Sequence, residues 1–330
     1  MDHIIRHSYT ASTDGQSVEA LLRSQGYSKS LINRIKLTED GLMIRGAKVY
    51  TTFRMKAGDR LDVTFAEETS SENIVPVRMP LSILYEDEDL MVINKAANVP
   101  IHPSQGNFSN SLANGLAWYF KQKQKPFVFR AVNRLDRDTT GLLIVAKNAL
   151  SSCILSDMVR NRQIHRTYLA AVSGNLSGQP EGTIDVPIAR LPGSTIERVP
   201  DPVHGEAALT HYELLFYQPQ TDTSLLKIHL ETGRTHQIRV HMKHIGHPLY
   251  GDFLYNPDYR FLQRQSLHSW NLSFSHPISG IPMEFTAPVP ADMQQFLPDA
   301  RTNACPAPDA GPDGPPAAGR GREPFQPHPD

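Results

Sequence analysis

Asp136 stands between Arg134 and Arg137 in the run V-N-R-L-D-R-D-T-T-G-L-L-I-V-A-K-N, residues 132–148. Neighbouring positive charge favours the ionised form of a carboxyl group, so Asp136 is available at neutral pH as nucleophile, base or ion-pair partner. Gly141 can supply a positive-φ corner. Leu142 to Ala146 then reads as a short strand buried on both faces. This order puts a carboxylate at the mouth of a buried strand, although the same letters also fit a solvated Arg-Asp-Arg-Asp turn that only caps one. Spacing alone does not separate the two.

Other residue types narrow the chemistry. His236, His241, His244 and His247 form a row in which neighbours three apart share a helix face. No H-E-x-x-H pattern is present, and the nearest downstream acid is Asp252, so no metal site is expected. There is no G-x-G-x-x-G or Walker-type phosphate loop. Cys153 and Cys305 lie far apart, which supports neither a disulfide framework nor a cysteine zinc site and fits a reducing compartment. Lysine and arginine total 33 against 34 acidic residues, a net charge of -1, so any nucleic-acid binding must come from local patches. The first ten residues lack a signal-peptide core and no apolar run could span a membrane, so a cytoplasmic protein is expected.

The elements that must position these residues fall into two groups. Residues 1–65 are expected to form a small separate α/β module. Val18, Leu21 and Leu22 mark one amphipathic helix, and Leu31, Ile32 and Ile35 a second, entered through Ser28 or Ser30. Short strands are expected over 41–46, 48–50 and 59–65. The module is basic although the chain is not, with Arg34, Lys36 and Lys48 among its candidate RNA contacts. Residues 66–79 lack periodicity and fit a linker on which the module can swing.

From residue 80 to 298 a larger domain is expected. A hairpin joins 83–85 to 90–94, and a helix around Leu112, Leu116, Trp118 and Tyr119 is capped by Ser109 or Asn110. A helix over 149–162 follows the Asp136 stretch. Strands are expected at 164–174, 210–217, 224–231, 267–274 and 283–285, with helices over 234–246 and 291–296. Strands rarely alternate with helices, which predicts an α+β fold around a mixed, largely antiparallel sheet. The Pro/Gly-rich tail, 299–330, is expected to be disordered.

Four segments resemble the RluA-type pseudouridine synthases: L-Y-E-D-E-D-L-M-V-I-N-K with P-I-H-P after it, N-R-L-D-R-D-T-T-G-L-L-I-V-A-K-N, I-H-R-T-Y-L-A-A-V-S-G, and L-E-T-G-R-T-H-Q-I-R-V-H-M-K-H-I-G-H-P-L-Y-G-D. Together they span Leu84 to Asp252. Asn133 and Thr140 depart from the usual His and Ser. The amino-terminal module is similar to the small RNA-binding domain typified by ribosomal protein S-four, with Arg45-Gly46 where that family usually has Asn-Gly.

The resemblance implies the pseudouridine synthase fold and isomerisation of uridine in structured RNA, most often large-subunit ribosomal RNA. It implies no cofactor and a monomer. Asp136 would be the catalytic carboxylate, Arg234 the arginine that pairs with it, and Tyr168 the aromatic that packs against the extruded base. Arg134 would hold the flipped nucleotide, with Arg166 and Arg239 adding RNA contacts. Asp138 is read as a structural acid. A catalytically silent RNA-binding or ribosome-assembly factor would have substituted Asp136, Tyr168 or Arg234, and none is substituted. A metal-dependent hydrolase built on the histidine row lacks acidic ligands.

Overall fold

Strand β7 (Thr140–Ala146) is buried at every position, and the reason is visible on its two sides. Leu143 and Val145 point into one apolar core while Leu142, Ile144 and Ala146 point into another, as the two-residue period of a strand requires. The computed structural model describes residues 4–67, 73–104 and 106–298.

In chain order the elements begin with β1 (Ile4–Thr10), α1 (Val18–Ser24), α2 (Lys29–Leu37), β2 (Leu42–Ile44), β3 (Ala47–Lys48) and β4 (Arg60–Ala66). These form a four-stranded sheet in the order β1-β4-β2-β3. Ser17 and Ser28 cap the helices by accepting the backbone N–H of Ala20 and Leu31. β1 lies outside the strands expected from sequence, because its exposed and half-buried positions carry too few apolar residues.

This module does not hang on a free tether. Leu150 of a later helix is buried in its core, and a Cβ on Gly26 would stand 2.5 Å from Ile154 of the same helix. Glu67 pairs with Arg130 and accepts the backbone N–H of Ala149. Of the expected linker, residues 68–72 lie outside the described residues. The part after them is strapped to the body, since Val77 donates to the carbonyl of Asn114 and Val75 accepts from that side chain.

The body continues with β5 (Ser82–Glu86), β6 (Leu90–Lys95), α3 (Leu112–Gln122), β7, α4 (Ala149–Arg160), β8 (His165–Ser173), β9 (Glu181–Asp185), β10 (Ile188–Arg190), β11 (Arg198–Pro200), β12 (Leu209–Gln218), β13 (Thr223–Leu230), α5 (Gln237–His244), β14 (Leu267–Ser275), β15 (Pro282–Thr286) and a 3-10 turn at Ala291–Phe296. Nine strands form one sheet in the order β5-β6-β7-β14-β8-β13-β12-β9, with β15 on β14. Only the β7–β14 pairing within it is parallel. The α+β fold with a mixed, largely antiparallel sheet is therefore what the chain forms. Helices α3 and α5 cover one face, and α4 part of the other.

The helix α3 is capped by Ser111 in a capping box with Asn114, one or two residues later than the expected Ser109 or Asn110. Gly141 (φ 107°) cannot carry a side chain, because its Cβ would meet the Ser269 carbonyl oxygen at 2.1 Å where β7 crosses β14. By contact clustering the chain divides into Met1–Phe296 and Leu297–Asp330, and almost all of the second part, including the tail expected to be disordered, lies outside the described residues.

Candidate active site

Asp136 lies on the loop entering β7, and that loop is held from several directions. Lys95, almost wholly buried at the end of β6, donates to the carbonyls of Ala96, Val99 and Arg137 at 2.8–2.9 Å. Burial pulls the Lys95 ammonium down to about 7, while Asp138 and Asp136 pull it upward. Arg264 donates to the Asp138 carbonyl and is itself clamped by both oxygens of Asp292. Asp138 pairs with its neighbour Arg137 at 2.9 Å, as a structural acid does.

Asn133, the departure from the usual histidine, is buried. Its Oδ1 accepts the Ile144 N–H at 2.9 Å, tying the loop back to β7. Thr140 hydrogen bonds with the buried His268 at 2.8 Å. Both departures are thus absorbed in loop anchoring.

The arginine on Asp136 is Arg239, not Arg234. Arg239 Nη1 donates to Asp136 Oδ2 at 2.8 Å, and its Nε and Nη2 grip both oxygens of Asp252 at 2.7 Å. Arg239 is 1% exposed, so it is not the RNA-backbone contact expected from sequence. Its two carboxylates push its pKa further up, and the rings of Tyr255 and Phe253 pack over its guanidinium. Arg234 instead turns outward, pairing with the exposed Glu206 and donating Nε to the Ala207 carbonyl.

The reason is where α5 begins. Gln237 Oε1 accepts from the Arg234 N–H and the Thr232 hydroxyl, and its Nε2 donates to Leu209 and Thr210. The helix therefore starts at Gln237, three residues later than expected. Arg234 stays in the turn while Arg239 faces inward.

Tyr168 lies on β8 opposite Ser269 of β14, and burial raises its hydroxyl pKa. It shares a small pocket with Asp136, Arg134, Leu230, Arg234, His236 and Arg239. This pocket opens into a cleft of about 750 Å³ whose lining includes Arg134, Arg137, Arg160, Arg162, Arg166 and Arg234. A cleft of that size holds a small ligand or a nucleotide.

Arg134 is exposed on this wall, 3.5 Å from the Thr235 hydroxyl. Arg166 is 9% exposed and its buried Nε has no partner. The remaining candidates are remote, in the amino-terminal module. Lys36 and Lys48 are exposed there, while Arg34 turns toward Glu67 at 3.8 Å and lies over the Phe65 ring.

The histidine row does not converge. His241 hydrogen bonds with Thr210 and the Val186 carbonyl, His247 with the Ser173 carbonyl, and His236 lies beside Asp136. Among the described residues the one group spaced to hold a metal is Asp87, Asp89 and His276. There His276 Nδ1 accepts from Ile278 and Ser279, which leaves Nε2 to donate to Asp87. Hydrogen bonds already satisfy that group. Sequence reasoning missed Arg239 as the partner of Asp136, and with it Asp252, His236 and Tyr255. The fourth motif contains the first three, but which of them face inward depends on the helix start.

Residues 89–244 match the family described as RNA pseudouridylate synthase. An uncharacterized RNA pseudouridine synthase of Bacillus subtilis (strain 168), YjbO, is 43% identical over 82% of this chain and 95% of its own length. The ribosomal large subunit pseudouridine synthase D of Escherichia coli O6:H1 is 39% identical over 70% of this chain and 74% of its own. Among solved structures, human RNA pseudouridylate synthase domain containing 1 superposes with a TM-score of 0.53 at 28% identity, covering 63% of this chain and 83% of that one.

The mixed sheet with an acid and a buried arginine at the floor of a basic cleft is thus that of an RNA-modifying enzyme. The chain belongs to the RluA-type family of RNA pseudouridine synthases, isomerases that convert uridine in RNA to pseudouridine. No helix among the described residues is long and apolar enough to cross a membrane.

Proposed function

We propose that Asp136 is the nucleophile of a uridine isomerisation on large-subunit ribosomal RNA, with Tyr168 receiving the extruded base. The observation that carries this is the arrangement of the cleft floor. Asp136 Oδ2 is fixed by a buried arginine, while Oδ1 accepts no hydrogen bond among the described residues. A carboxylate kept ionised by Arg239 and open on one oxygen can add to the sugar carbon or the pyrimidine ring. The base must leave its stack to reach it, and Tyr168 with Leu230 and Leu267 offers the apolar surface that receives it.

Arg239 takes over the orienting role that Arg234 was expected to fill. Arg234 and Arg134 belong to the rim, where together with Arg162 and Arg166 they meet phosphates. The exchange is redox-neutral and calls for no cofactor. Ribosomal RNA as substrate rests on the named activity of the Escherichia coli relative. The amino-terminal module, with Lys36 and Lys48 exposed, adds a second RNA contact, and the protein works as a cytoplasmic monomer.

Mapping pseudouridines in total RNA from a deletion strain beside its parent tests the substrate. Loss of one or more sites in large-subunit RNA is expected, and loss confined to transfer RNA would overturn that part.

A further inference from the structure

His236 has the most constrained surroundings of any titratable group in the site. Its backbone is left-handed (φ 58°, ψ 19°), a conformation a non-glycine residue holds only when its neighbours impose it. Its ring stands edge-on to Tyr255, with Nδ1 3.0 Å from the Tyr255 hydroxyl and Nε2 4.0 Å from Asp136 Oδ2.

The hydrogen-bond order fixes the proton. The Arg198 N–H donates to the Tyr255 hydroxyl oxygen at 2.9 Å, which leaves the hydroxyl proton to be donated to His236 Nδ1. Neutral His236 therefore carries its proton on Nε2, the atom that faces Asp136. At 4.0 Å this is an approach rather than a hydrogen bond, so the carboxylate remains free to turn toward a substrate.

We infer that His236 is a positioning residue for Asp136: neutral, its Nε2–H steers the carboxylate into the cleft, and protonated, it ties the carboxylate down. This rests on Asp136 being the reacting group.

The groups that face His236 are Asp136 from the β7 loop, Arg239 from its own helix, Asp252 and Tyr255 from the segment after α5, and Arg198 from β11. Burial lowers the histidine pKa first, Asp136 and Asp252 raise it, and Arg239 and Arg198 lower it. Protonation also requires Tyr255 to withdraw its proton from Nδ1. The neutral form thus prevails until the pH falls below the ordinary histidine value of 6.5.

The test is the pH dependence of single-turnover tritium release for the full chain and three variants. Wild type should lose activity as the pH falls below 6.5. His236→Leu should lower kcat about tenfold or more, with KM for RNA changed less than about threefold. His236→Gln presents an N–H near the position of Nε2 but cannot titrate. It should recover at least about a third of wild-type kcat at neutral pH and lose the acid limb. Tyr255→Phe removes the donor to Nδ1 and should move the acid limb to higher pH.

Wild-type kcat in His236→Leu, or an unchanged acid limb in His236→Gln, would overturn the inference. Both are distinct from failure of the nucleophile assignment, which Asp136→Asn reports by itself.

Discussion

The floor and the rim of the cleft use the same residue types in opposite ways. On the floor, Arg239 is sealed between Asp136 and Asp252 and makes three charged hydrogen bonds of 2.7–2.8 Å. On the rim, Arg234 pairs with Glu206 and Arg162 with Glu231 through side chains that remain substantially exposed. Exposed pairs contribute roughly 0–1 kcal/mol each. A phosphate can therefore displace Glu206 or Glu231 at little cost. The buried set cannot be exchanged, because removing one partner strands a charge. Geometry fixed at the floor serves chemistry, and exchangeable pairs at the rim serve capture of a polyanion.

The largest break in this contrast is Arg239→Met. It leaves Asp252 and Asp136 without their shared cation, and should cost about 3–5 kcal/mol of stability in denaturant unfolding and abolish turnover. Arg239→Lys should rescue little, since an ammonium cannot reproduce the bidentate grip on Asp252. Next in size are Arg134→Ala and Arg234→Ala. Each should weaken RNA binding and reduce the slope of log affinity against log salt by about 1, with folding stability almost unchanged. A rim substitution that destroyed folding, or a floor substitution that only weakened binding, would collapse the distinction.

Much of the site was legible in the sequence because its motifs are contiguous. Asp136, Gly141 and the buried run read correctly as a carboxylate at the mouth of a strand, and most strands and helices of the body fall within a few residues of their expected bounds. Arg234 was misread for a physical reason. In T-G-R-T-H-Q the helix start is decided by four hydrogen bonds of one side chain, Gln237, and moving it by three residues changes which arginine faces inward. The strands β9, β10 and β11 carry three to five residues each, too short for a period to show. The docking of the amino-terminal module was hidden because Leu150 reads as an ordinary core position of α4.

A smaller effect concerns Lys95, which holds the Asp136 loop. Its folded-state pKa is depressed to about 7, so above that pH the unfolded chain binds a proton that the folded one lacks. Unfolding free energy should therefore rise with pH between about 7 and 10.5, and Lys95→Met should remove that contribution. Smaller still, Glu231→Gln should free Arg162 and raise RNA affinity by less than about fivefold, within the worth of an exposed pair.

The central claim is that the floor performs the chemistry through Asp136. Asp136→Asn keeps the side chain's size, and its remaining carbonyl oxygen can still accept from Arg239. Tritium release from uridine-labelled RNA should fall by about 10³-fold or more while RNA affinity stays within about threefold of wild type. Sustained turnover by that variant would contradict the account.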